Sequence, residues 1–343
     1  MNYLNGLNKK RHNFDFLRII AIFSVILLHT SSSPFKIWSD NWTQFNIIMS
    51  ATRWCVPVLF MLSGALLIGK NEPIILFFKK RIFKIIIPLI FWSYIYILFA
   101  RNLYQLDPAH ANPNVFFEPW LLLKYSAYFH LWFLYAIIGV YLMIPLLRII
   151  SYNEAVVQYS LLLWFIWFSA IPFLQSFDII KGNLFFIFKL DVIPLWSGFA
   201  LLGYFLQKNE CKIKISYAII VFLIGLISTI YLTYFVSSNG IPKETYQAYF
   251  MPNVLMMSCG IYIILMKIKT TPTSISKISK YSFGIYLCHM LIMPLTWKIK
   301  YFNNIYLAES NFILTVISSI LTFTLSLILV FILSKIPLLR RVV

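Results

Sequence analysis

Apolar runs about the length of a membrane span divide this chain, and short polar stretches separate them. Crossing the hydrocarbon core takes about 20 residues of helix. The pattern predicts ten such segments: 14–31, 45–69, 85–104, 130–150, 155–175, 185–207, 216–236, 250–267, 281–300 and 312–334. The run 185–207 holds Lys189 and Asp191, and 281–300 opens on polar residues. These two are the least uniform. Pro57, Pro88, Pro145, Pro172, Pro194, Pro252 and Pro294 fall in or beside the segments. Membrane helices accept proline where neighbouring helices or waters satisfy the freed carbonyl. The stretch Phe116 to His130 reads as a short interfacial helix ahead of the fourth span. The expected fold class is all-α: a polytopic membrane protein of ten transmembrane helices, forming one domain over 1–343.

Composition agrees with that pattern. Sixty per cent of the 343 residues are hydrophobic and 12% are charged, and mean hydropathy is +0.80. A soluble domain carries roughly a quarter charged residues. No small-residue cleavage site follows the first run, so it is expected to stay as a helix. Four cysteines, Cys55, Cys211, Cys259 and Cys288, lie far apart, so neither a disulfide framework nor a zinc site is indicated.

The net charge of +18 points to nucleic acid only if its placement is ignored. Most Lys and Arg sit in alternate loops: Lys9, Lys10 and Arg11; Lys70, Lys79, Lys80, Arg81 and Lys84; Arg148; Lys208, Lys212 and Lys214; Lys267, Lys269, Lys277 and Lys280; Lys335, Arg340 and Arg341. The opposite loops are poorer in them. By the positive-inside rule both termini are cytoplasmic. Topology therefore accounts for the basic balance, and no nucleic-acid partner is expected.

Charges at membrane depth are costly and usually face a bundle interior or a water-filled cavity. The first helix, "DFLRIIAIFSVILLHTSS", carries Arg18 and His29, 11 positions apart. At 100° per residue that is about 20° beyond three turns, so the two share one face, separated by roughly 16 Å along the axis. Asp15 lies one turn before Arg18, so a snorkelling Arg18–Asp15 pair is the structural alternative. His130, Asp191 and Arg53 fall at a depth similar to His29 on three other helices. Imidazole with carboxylate is the usual equipment for proton transfer near neutral pH, and arginine suits an anionic or carbonyl-bearing group. Private structural pairings are the alternative for each. His289 lies deeper in the ninth span and reads equally well as an interhelical hydrogen-bonder. The five histidines have no ligand spacing, so no metal is expected. In "FFKKRIFKIIIP", Arg81 and Lys84 share a helix face. That face suits phosphate, with anionic lipid or the inside rule as the plainer reading.

Several motifs in order resemble the membrane acyltransferase 3 family, over residues 13 to about 334. They are "DFLR" with His29 closing the run; "RWCVPVLFMLSGALL" with Pro57, Phe60, Ser63 and Gly64; "KKRIFKIIIP" against the family's Arg-x-x-Arg; "HLWFLYAIIGVYLMIPLL"; and "SFGIYLCH". The resemblance implies a ten-helix O-acyltransferase of bacterial surface glycans, taking acyl from cytoplasmic acyl-CoA, commonly acetyl-CoA, in the inner membrane. It implies that Arg18 and His29 are functional, with His130 and Asp191 as the orienting candidates. Lys80, Arg81, Lys84 and Ser63 are then expected to hold the donor, and Arg53, Trp132 and His289 to line the acceptor side. One departure is that Lys84 replaces the second arginine of Arg-x-x-Arg, and lysine lacks the planar fork. No further domain is seen after the helices, so the bundle is expected to complete the transfer or pass the group to a partner. Expected partners are acyl-CoA, a glycan acceptor, membrane lipid and surface-polysaccharide assembly proteins; no cofactor is permanently bound. The rival class is a glycan or lipid-linked-sugar exporter, but exporters usually carry internal repeats, and none is visible.

Overall fold

The computed structural model describes residues 2–102, 119–180, 194–268, 273–298 and 312–343. Every element among them is helical. They are α1 (Asn2–Phe35), α2 (Trp42–Thr52), α3 (Cys55–Leu67), α4 (Ile74–Arg81), α5 (Phe83–Asn102), α6 (Trp132–Ser151), α7 (Glu154–Phe165), α8 (Ile171–Gln175), α9 (Ser197–Asn209), α10 (Ile215–Ser237), α11 (Pro252–Met266), α12 (Thr273–Ser279), α13 (Ser282–Lys298) and α14 (Phe312–Lys335). Among the described residues, eight helical stretches are long and apolar enough to cross a membrane, and Ser282–Thr296 is a shorter apolar helix. The molecule is a polytopic membrane protein.

The second span, Trp42–Leu67, is 89% buried inside the protein, against 17% for Ile215–Ser237. It is thus a central helix, and α10 faces lipid. The segment 45–69, expected as one span, lies within the single stretch Trp42–Leu67, whose helix is interrupted by a two-residue turn at Arg53–Trp54 between α2 and α3. Pro57 is the cause: it has no N–H for the carbonyl four residues back, and its ring crowds that carbonyl. A π-helical turn at Ile166–Ala170 likewise precedes Pro172 between α7 and α8.

The interfacial helix expected over 116–130 is not continuous. Pro119–Leu123 and Phe129–Leu131 are separate 3₁₀ turns, with Tyr128 extended at φ −143° and ψ 147°. The expected segment 185–207 begins outside the described residues, as does Asp191, and continues as α9.

Three devices hold the bundle. First, α3 and α9 approach backbone to backbone. A Cβ on Gly64 would lie 1.8 Å from the Ala200 carbonyl oxygen, and one on Gly203 would lie 2.0 Å from that of Met61. Small residues let membrane helices pack this closely. Second, α14 turns Thr315, Ser318, Ser319, Thr322 and Ser326 inward. Ser319 meets Thr30 at 2.6 Å, and Thr296 meets Thr322 at 3.0 Å and Ser318 at 3.1 Å. These hydroxyls bond across helices where lipid offers no partner. Third, Arg148 donates to the Leu67 carbonyl (3.2 and 3.1 Å) and the Glu72 carbonyl (2.9 Å), satisfying the open end of α3.

Candidate active site

Three helices carry polar residues at helical spacing along the faces they turn to one another. On α1 the stripe is Arg18, Ile22, His29; on α13 it is Ser282, Tyr286, His289. Before and along α6 it is His130, Phe133, Ile137, Tyr141. Offsets of three, four, seven and eleven keep each stripe on one helix face. One end of these stripes opens into a cavity of about 320 Å³. Its lining includes Arg18, Ser63, Arg81, Lys84, Tyr141 and Tyr286, over an apolar body of Leu59, Leu62, Ile85, Phe133 and Ile137. The other end brings the three histidines together.

At the cavity end the charges are partly neutralised. Arg18 donates to Asp15 at 3.0 Å, so the Arg18–Asp15 pair exists, and Arg18 itself lines the cavity. Glu72 gathers Lys80 at 2.8 Å and Arg81 at 3.6 Å. The hydrogen bond from Lys80 is the main reason the Glu72 carboxyl is held below its usual range, with Arg81 and Arg148 adding to it. Of the four donor-binding candidates, Ser63, Arg81 and Lys84 line the cavity and Lys80 does not. Ser63 donates to the Leu59 carbonyl at 3.0 Å.

At the far end, His29 stacks on His289 with ring centroids 5.4 Å apart and planes 27° apart. His130 meets His289 edge-on at 5.2 Å. Phe129 closes on His29 at 5.3 Å, and Tyr96 and Tyr286 close on His130 at 4.8 and 5.7 Å. His289 Nδ1 donates to the Tyr286 carbonyl at 2.6 Å, and the Tyr286 hydroxyl donates to the His130 carbonyl. Tyr286 therefore belongs to both ends: its ring walls the cavity and its polar atoms hold two of the histidines. Among the described residues, no group of His, Cys, Asp and Glu is arranged to hold a metal.

Arg53 lies within electrostatic reach of His29 but is engaged elsewhere. Its Nη2 donates to Glu244 and to Gln247, each at 2.8 Å. Gln247 in turn donates to Asn46 at 3.2 Å and Ser50 at 3.3 Å. The guanidinium thus pins the loop between α10 and α11 to α2. Trp132 packs on Trp196 at 4.9 Å and on Tyr249 at 6.2 Å, and Tyr249 stands beside Arg53.

Among the lining residues missed from sequence are the two tyrosines, Tyr141 and Tyr286. Both had a signal. Tyr286 precedes His289 by three positions, and Tyr141 follows His130 by eleven, the spacing that linked Arg18 to His29. No curated protein and no solved structure matches the chain. The acyltransferase domain model matches residues 11–331. That match covers the helices that carry both the cavity and the histidine cluster, and it favours an enzyme over an exporter. A polytopic bundle with a basic cavity at one end of three stripes and a histidine cluster at the other is therefore a membrane acyltransferase, and the chain belongs to the acyltransferase 3 family.

Proposed function

We propose that the enzyme moves an acyl group, acetyl in the first instance, from cytoplasmic acyl-CoA to a hydroxyl of a bacterial surface polysaccharide or its lipid-linked precursor. The observation that carries this reading is the arrangement along three helix stripes: one cavity lined by Arg18, Arg81 and Lys84, and histidines gathered where the stripes end. Arg81 and Lys84 face the phosphates of the CoA nucleotide. The pantetheine arm passes Arg18 and Ser63 along the apolar wall of Leu59, Leu62, Phe133 and Ile137. The thioester arrives beside Tyr286. His29 acts as general base on the acceptor hydroxyl, with His130 and His289 packed around it. Asp191 belongs to the same depth by its place in the sequence. Arg53 and Trp132 border the acceptor side. Because Arg53 already holds Glu244 and Gln247, its contribution is to shape the loop over the site, so a neutral sugar suffices as acceptor.

The membrane frame follows the charge bias. The eight spans, the shorter helix Ser282–Thr296 and the segment that contains α9 make ten crossings. Both termini are then in the cytoplasm of a bacterial cell, and the cavity mouth faces the CoA pool. Membranes from cells expressing the enzyme are given radiolabelled acetyl-CoA, and label entering polysaccharide is counted. General base catalysis contributes about 10²–10⁴-fold, so His29→Ala is expected to lose at least about 100-fold at matched expression. Arg18→Ala is expected to raise the KM for acetyl-CoA. Near wild-type transfer by both variants would overturn the mechanism.

A further inference from the structure

We propose that His289 is a second catalytic residue, the imidazole that returns a proton to the departing sulfur. The proposal rests on the reading of His29 as base.

The geometry starts with a tether. The Tyr286 carbonyl can only accept, so the hydrogen of neutral His289 is on Nδ1, 2.6 Å away, and the lone pair is on Nε2. Such a bond to one ring nitrogen is how a protein chooses which nitrogen does chemistry. His289 is fully buried, and its Nε2 has no hydrogen-bond partner among the described residues. Buried polar atoms are nearly always paired, so an unpaired one calls for an explanation. His289 is also the middle ring of the cluster, against His29 on one side and His130 on the other.

Position separates the two roles. On α13, His289 stands one turn beyond Tyr286, the last cavity-lining residue of that helix. On α1, His29 stands two turns beyond Ile22, the last cavity-lining residue there. A thioester entering through the cavity reaches His289 first, and the acceptor meets His29.

The step balances without any further reagent. As the acceptor oxygen attacks the thioester carbonyl, its O–H bond breaks and the proton goes to His29. The new C–O bond forms, the C–S bond breaks, and the electron pair leaves on sulfur. His29 passes its proton to Nε2 of His289 through a bridging water, because the stacked rings turn faces rather than ring nitrogens to one another. His289 gives it to sulfur. The products are an ester and a free thiol, both imidazoles finish neutral, and the Nδ1 hydrogen stays on the Tyr286 carbonyl throughout.

The test uses full-length enzyme in native membranes with radiolabelled acetyl-CoA, and reads kcat and donor KM separately. In His289→Asn the amide nitrogen takes the place of Nδ1 and keeps the bond to Tyr286, but nothing occupies the place of Nε2. A merely structural His289 would tolerate that change. The expected result is a kcat at least about 100-fold lower with donor KM within about twofold. Retention of more than about a third of wild-type kcat overturns the proposal, and so does a rise in donor KM of about tenfold, which would make His289 a donor-binding residue. Thermal unfolding of the purified variant checks that it is folded. If it is not, His289→Gln decides, because its amide reaches the place of Nε2 but takes up no proton. Loss of kcat supports the proposal and retention overturns it. His29→Asn is run in parallel. If His29→Asn fails while His289→Asn works, only this proposal falls. If His29→Asn works, the reading of His29 falls and the relay with it. Absence of label with wild-type enzyme overturns both.

Discussion

Lys84 occupies the position where the resemblance expects a second arginine, and it lines the cavity with Arg81 and Arg18. An ammonium is a compact point charge, whereas a guanidinium offers a planar fork that grips phosphate through two parallel bonds. If this rim holds the nucleotide of CoA, Lys84→Arg should lower the donor KM or leave it unchanged, with kcat unaltered. An initial-rate series in acetyl-CoA reads it, and a clear rise in KM would count against the phosphate role. At this scale the sequence was legible wherever a helix face could be computed. The spacing of Arg18 and His29 placed both on one stripe, and the same arithmetic covers Tyr286 and Tyr141. Private partners were not legible. Nothing in "ATRWCVP" says that Arg53 is tied to Glu244 and Gln247, because those lie 191 and 194 positions away. Nor did "FFKKR" reveal that Lys80 turns to Glu72 while Arg81 also faces the cavity. Such pairings depend on how loops fold back, which hydropathy does not encode.

Helices in a membrane are held by close packing, because lipid is as apolar as the side chains it would replace. The contact of α3 with α9 therefore rests on its two glycines. Gly64 belongs to the Ser-Gly pair that carried part of the family resemblance, and its lack of a side chain has a steric reason here. A methyl group 1.8 Å from the Ala200 carbonyl oxygen cannot be accommodated without parting the helices. Gly64→Ala is thus expected to destabilise the protein by at least about 1–3 kcal/mol, the usual cost of overpacking. It should also widen the apolar wall, because Leu62, Ser63 and Leu66 line the cavity from the same helix. A thermal unfolding midpoint equal to wild type would refute this. The existence of the long apolar helices was plain from sequence, but their interruptions were not. A proline marks a weak point without saying whether the helix bends, breaks or makes a π-turn. Pro57 stands beside a two-residue turn and Pro172 beside a π-turn, whereas α6 runs on through Pro145. The interfacial stretch 116–130 failed as a helix for a related reason: Pro119 starts a tight turn, and Tyr128 is extended so that His130 can enter the cluster.

For the molecule as a whole, the decisive quantity is which end of the three stripes meets the cytoplasm. Acyl-CoA is made and kept there, so the reading of Arg81 and Lys84 as a donor rim requires the cavity end to face inward. The charge bias along the whole chain agrees, since α4 and the first turn of α5 carry Lys79, Lys80, Arg81 and Lys84 and the alternate connections share that basic character. One helix allows a direct check. Cys211 is exposed just before α10, and Lys243 is exposed in the loop just after it. At 1.5 Å per residue, α10 separates the two by roughly 34 Å, enough to put them on opposite sides of a bilayer. In the proposed ten-crossing topology Cys211 is on the same side as the basic end of the cavity. In intact cells a membrane-impermeant maleimide should therefore leave Cys211 unlabelled until the membrane is permeabilised. In a Cys211→Ser background, Lys243→Cys should react in intact cells. Cys55 and Cys288 are buried, and Cys259, partly exposed on α11, is replaced by Ser throughout so that it contributes no background. The reverse pattern would put the basic rim outside, away from any CoA pool, and the donor assignment would fall even if every histidine variant were inactive. The two labelling sites thus test the direction of acyl flow separately from the chemistry at its end.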